Sequence, residues 1–194
     1  MAQNLISEKR YDEIKREVLF LYEECEVHTY PIDCFAIAKK LHYVIRPYST
    51  LSIERQFIAY NFDPDGFSRV ELNRSTGMYE YVIYYNDFNA NTGRQRWTIF
   101  HEIGHIYLDH HSNLDNSLSD VEEAEADFFA KYIIANPPLI NISNCCSPEE
   151  VETTFKTSHS AAIYLFNYFQ KWLYFGPDRY LPFEKKIIEL FQAA

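Results

Sequence analysis

The 194-residue chain suits one domain, or one domain with a small helical appendage, and can bury roughly 70% of its unfolded surface without a disulfide or metal staple. Hydrophobic residues make up 47% and aromatics 17%, with 16 Tyr and 15 Phe, a composition that excludes a disordered regulator. The formal net charge of −10, from 28 acidic and 18 basic residues, argues against a nucleic-acid footprint and against adhesion to anionic membranes.

The opening stretch MAQNLISEKRYDEIKREV has no apolar secretory core, and the chain has no run of about 18 apolar residues to span a bilayer. A cytoplasmic protein with reduced thiols is expected. Cys25, Cys34, Cys145 and Cys146 lack metal-knuckle or redox spacing and read as structural or incidental. Residues 8–24 repeat Tyr11, Ile14, Val18, Leu19 and Tyr22 at spacings of three and four, which predicts an amphipathic helix. A second helix is expected near 32–41, with Pro31 at its first turn, followed by a short strand over 42–48.

Residues 56–86 read as a β-meander. QFIAYNF is its first strand, Asp63-Pro64-Asp65-Gly66 a turn, and Tyr79–Asn86 a strand with one apolar face. Asn91 or Thr92 can cap the next helix, which carries RQRWTIFHEIGHIYLDHH. A polar loop, SNLDNSLSD, leads to a helix over VEEAEADFFAKYIIAN that stops at Pro137 and Pro138. Three further helices are expected over PEEVETTF, HSAAIYLFNYFQKWLY and PFEKKIIELFQ.

His101-Glu102-Ile103-Gly104-His105 is an H-E-x-x-H motif. Residues four apart on a helix share a face, so both imidazoles can bind one Zn²⁺ at about 2.0–2.1 Å per nitrogen. Glu102 is next to the first ligand and aimed beside the metal, as a general base for water must be. Trp97, Phe100, Gly104 and Tyr107 or Leu108 continue a buried helical stripe. Burying two histidines and a glutamate among such residues is costly unless something pairs with them, and a metal does.

Catalytic zinc takes three protein ligands and leaves one position for water. The third is expected from Glu122, Glu123, Glu125 and Asp127. Glu123 and Asp127 share a face, so Glu123 can ligate while Asp127 accepts the free ring N–H of a ligand histidine. Glu125 is the rival ligand, and Glu122 fits a helix-dipole role. Ala124, Ala126 and Ala130 are small enough to let the two helices approach. His110 and His111 read as residues of a helix C-terminus, and His28, His42 and His159 as isolated. No residue is assigned to stabilise the oxyanion.

The run RQRWTIFHEIGHIYLDH followed by EEAEADFFAKYIIANP resembles the ImmA/IrrE family of metallo-endopeptidases. The matching positions are Arg94, Arg96, Trp97 and Thr98, the motif, then Glu123, Ala126, Asp127, Phe129, Ala130 and Pro137. Trp97 in place of Phe and the apolar IIAN stretch depart from the pattern. The resemblance implies a gluzincin-like α+β fold: a short antiparallel sheet packed on the motif helix over residues 1–140, then a helical module over 141–194 packed on it. It also implies His-His-Glu zinc coordination and a helix-turn-helix repressor as the protein substrate, often in phage or mobile-element regulation. A peptide is then expected along an edge strand beside the metal. Tyr79–Asn86, nearest the motif in sequence, is expected to line that cleft. The alternative is a zinc-containing regulator that sequesters a repressor without cleaving it. DNA binding by the C-terminal module is disfavoured, with only Lys171 basic near the end of its second helix.

Overall fold

The computed structural model describes residues 5–112, 118–174 and 180–192. In chain order they form α1 (Glu8–Glu24), α2 (Cys34–Lys40), β1 (Val44–Pro47), α3 (Ile53–Phe62), β2 (Gly66–Leu72) and β3 (Tyr79–Tyr85). Then come α4 (Thr92–Tyr107), a 3-10 turn at His110–Ser112, α5 (Asp120–Ala135), α6 (Pro137–Ile142), α7 (Pro148–Phe155), α8 (His159–Tyr174) and α9 (Pro182–Gln192). The fold is α+β, as expected. No described helix is long and apolar enough to cross a membrane.

Two compact units divide the chain, and they do not follow chain order. One is built around Cys34–Ala130, and the other joins Ser7–Asp33 to the chain from Lys131 onward. The sequence boundary at residue 140 is a different partition. In the second unit, the Tyr22 hydroxyl donates to the Ile133 carbonyl at 2.6 Å, and the Tyr22 ring meets Phe191 edge-on at 5.3 Å. These long-range contacts tie α1 to the C-terminal helices, which local sequence does not announce. Asn136 accepts from the Leu139 N–H, so Pro137 opens α6 as well as following the end of α5.

In the first unit the sheet order is β1-β3-β2, with β1 parallel and β2 antiparallel to β3. Two sequence expectations are corrected here. QFIAYNF is not a strand but the larger part of α3, capped by Ser52, whose hydroxyl accepts from the Arg55 N–H. Its apolar residues do not alternate; they fall at helical spacing once Ile53 is counted. The Tyr79–Asn86 strand is β3, the central strand. Its Glu80 and Tyr84 do line the cleft, as expected, but both of its edges are already paired, so it offers no backbone edge to a peptide; β2 does.

Alternation gives the sheet two faces. Phe67 and Tyr84, stacked at 5.0 Å, face the side where Tyr48 and Ala59 pack with Val82. Ser68 and Ile83 face the side where α4 lies. Gly66 lets β2 start close to α4: a Cβ there would sit 2.6 Å from both Thr98 Cγ2 and the Tyr84 carbonyl.

Candidate active site

Helix α4 begins at Asn91, whose side chain accepts from the Arg94 N–H at 3.0 Å. It is buried almost all round between Thr98 and Ile106, so the histidines and glutamate are embedded among apolar residues. Helix α5 lies against it where a Cβ on Gly104 would come within 2.9 Å of the Phe129 ring. The start of α5 is fixed by reciprocal bonds: Glu122 accepts from the Ser119 N–H and hydroxyl, while Ser119 Oγ accepts from the Glu122 N–H.

These placements bring His101, His105 and Glu123 to one point. His105 Nε2 lies 2.9 Å from His101 Nε2, and the Glu123 carboxylate oxygens lie 3.3 Å from His101 Nε2 and 3.7 Å from His105 Nε2. The three can hold a metal ion. A tetrahedral ion with bonds of about 2.0–2.1 Å needs its ligand atoms about 3.3 Å apart, and the three separations bracket that value. The donor set, two imidazoles and a carboxylate, suits zinc.

The far ring nitrogens are also engaged. His101 Nδ1 lies 3.0 Å from Asp127 Oδ1. His105 Nδ1 lies 3.0 Å from His110 Nδ1, and His110 Nε2 lies 3.2 Å from Glu125 Oε2. With His105 Nε2 left bare for a metal, its proton sits on Nδ1 and is donated to His110. His110 then carries its own proton on Nε2 and donates it to Glu125. Glu125 thus faces His110 and is not in the convergent triad.

The mundane reading of His110 and His111 misses their positions. Asp109 takes a left-handed conformation, φ 62°, at the end of α4, and the chain turns there. His110 is buried behind His105, and His111 Nε2 comes within 2.9 Å of Ser68 Oγ. Ser68 in turn donates to Glu102 Oε2 at 2.6 Å. Nothing in the local sequence marks Ser68, because a strand residue 34 positions upstream reaches α4 only through the sheet.

Electrostatics follow the geometry. Burial works against the charged form of His101, but Asp127 and Glu123 outweigh it and push the imidazole up to about 10. His101 and then His105 hold the Glu123 carboxyl well below the usual carboxylate range. The triad therefore favours a positive charge at its centre. Burial pushes the Glu102 carboxyl up, against the pull of both imidazoles and of Ser68. Burial, and after it His105, pulls His110 and His111 down. The four thiols are free, and none joins this cluster.

The site opens into a cleft of about 1430 Å³, bounded by α3, by β2 and by His101, Glu102, His105 and Glu123. A buried carboxyl beside a cation-favouring triad, opening into a cleft of that volume, is an arrangement suited to hydrolysis. Residues 73–172, more than half of the chain, match the model of the family described as peptidase U49, and the chain belongs to that family. The match includes β3, α4, the triad, Asp127 and Glu125. No curated protein and no solved structure matches the chain.

Proposed function

We propose that the protein is a zinc-dependent endopeptidase in which His101, His105 and Glu123 hold the metal and Glu102 is the general base. The convergence of those three ligand groups within 4.8 Å, next to the buried Glu102 of a peptidase-family chain, carries the reading. Zinc, when bound, would polarise the scissile carbonyl and lower the pKa of its water towards about 7.

The chain's own residues supply the rest. Glu102 takes the water's proton and passes it to the leaving amine, so the carboxyl must gain and lose a proton readily. Its raised pKa supports that role. Ser68 holds Oε2 and leaves the other carboxylate oxygen for the proton transfer. Asp127 orients the His101 ring, and His110 with Glu125 orients that of His105. The substrate backbone pairs with the outer edge of β2, which no described strand covers.

The substrate is a protein. The matched family is described as peptidase U49, so a helix-turn-helix repressor as substrate rests on the ImmA/IrrE resemblance of residues 94–137. Phage or mobile-element regulation accompanies that resemblance, and a cytoplasmic setting fits a substrate of that kind. The residues given chemical roles all fall within residues 1–140, proposed as the peptidase domain, with 141–194 as an accessory helical module.

The test uses zinc-loaded protein and its Glu102→Gln variant on an unfolded protein and on a helix-turn-helix repressor. The parent should release fragments, and a chelator should stop it. The variant should keep zinc and partner affinity but lose about 10²–10⁴ in rate. A variant that inactivates the repressor as fast as the parent would replace cleavage with sequestration.

A further inference from the structure

The cleft wraps the outer edge of β2, with α4 on one face of the sheet and α3 on the other. Helix α3 is an unusual wall. It buries Ala59 alone among its apolar residues, and it leaves Ile58 and Phe62 65% and 73% exposed on the cleft side. Arg55, Ile58 and Phe62 recur at spacings of three and four and share one face.

The charges of the cleft carry a second signal. Arg46 pairs with Glu71 and Glu80, Arg69 pairs with Glu71, and Asp63 accepts from the Gly66 N–H. The ionisable groups of the site are bonded to one another. Among the described residues, only the Arg55 and Arg74 side chains line the cleft with charge and no partner. Both are exposed and positive, in a chain whose net charge is −10.

We propose that the α3 wall selects extended peptide segments carrying apolar side chains at alternate positions followed by an acidic one. The proposal rests on the endopeptidase reading above. A peptide paired with the β2 edge turns every second side chain to α3, at intervals of about 6.6 Å. Phe62 and Ile58 are about 6 Å apart along their helix, and Arg55 lies about 10 Å from Phe62. Two apolar residues two positions apart thus meet Phe62 and Ile58, and an acidic residue two positions further meets Arg55, whose length covers the remaining offset. Phe62 is at the end near the chemistry: its ring lies 4.9 Å from that of Phe67, and the next residue, Ser68, bonds Glu102. Arg74 lies in the turn that follows β2, past the end of the edge furthest from Gly66, and takes a second acidic residue there.

The test is a set of ten-residue internally quenched peptides assayed with the zinc-loaded full chain. All carry the apolar pair, and the α3-facing position beyond it is Glu, Gln or Lys. Exposed ion pairs are weak, so kcat/KM for Glu over Lys should be about five- to tenfold, falling at high salt. Arg55→Glu should bring that ratio to one or below, and Phe62→Ala should lower kcat/KM for the apolar peptides about tenfold. A Glu-to-Lys ratio unchanged by Arg55→Glu, with peptides still cleaved, overturns the specificity and leaves the endopeptidase standing. Absence of cleavage in every peptide and protein substrate overturns the endopeptidase itself. Sedimentation showing a dimer that Phe62→Ala dissociates would assign the wall to a second copy of the chain, which also overturns the proposal.

Discussion

Removing the Glu125 carboxylate should weaken metal binding although Glu125 stands outside the proposed ligand triad. Glu125 and His110 are 7% and 5% exposed, so bulk solvent does not reach the pair. In Glu125→Ala, the His110 Nε2–H loses the acceptor 3.2 Å away. An unsatisfied buried donor costs about 1–3 kcal/mol, which His110 can relieve by moving its proton to Nδ1. That tautomer can no longer accept from His105 Nδ1, so His105 is released from the orientation that presents Nε2 to the triad. Loss of such an outer partner typically lowers metal affinity about 10–100-fold, equal to about 1.4–2.7 kcal/mol.

Glu125→Gln keeps a carbonyl acceptor and should fall between parent and Ala. Glu123→Ala removes a proposed ligand and should weaken binding more than either, whereas Glu122→Ala should leave it near the parent value. Competition with a chromophoric chelator measures the affinities, and urea unfolding of the apo-proteins separates them from stability. If Glu125→Ala binds zinc as tightly as the parent, the chain from Glu125 through His110 does not position His105. If Glu125→Ala loses the metal while Glu123→Ala keeps it, the ligand assignment on α5 is wrong by two residues.

The acid limb of activity should report Glu102. Its carboxyl sits above the ordinary glutamate value of about 4.3, and only its ionised form accepts a proton, so rate should fall as pH drops through that raised value. Ser68 holds the carboxyl down by donating to it, so Ser68→Ala should move the acid limb of kcat/KM to higher pH; a limb that stays put or moves down refutes that bond. Gly104→Ala should destabilise by about 1–3 kcal/mol, because the added methyl meets the buried Phe129 ring at 2.9 Å. Phe129→Leu in the same chain should relieve part of that loss in thermal unfolding, and a fully additive double variant would count against the contact.

Where a feature depends on neighbours along one helix, the residues alone determine it. His101 and His105 share a face at any tertiary arrangement, as do Glu123 and Asp127, and Glu102 must lie beside the first histidine. The helices of the C-terminal half were likewise legible from apolar spacing, because amphipathic periodicity is written locally. Tertiary structure decided what the chain brings together from afar. It made β3 the central strand and β2 the edge, because β1 adds to β3 in parallel, a pairing with no local signal. It turned QFIAYNF into a cleft wall instead of a strand. It placed Ser68 on Glu102 through strand register, and a left-handed Asp109 set His110 behind His105 with Glu125 beyond it. A metal-ligand motif is a property of helix pitch, but its supporting partners and the cleft wall opposite them are properties of packing.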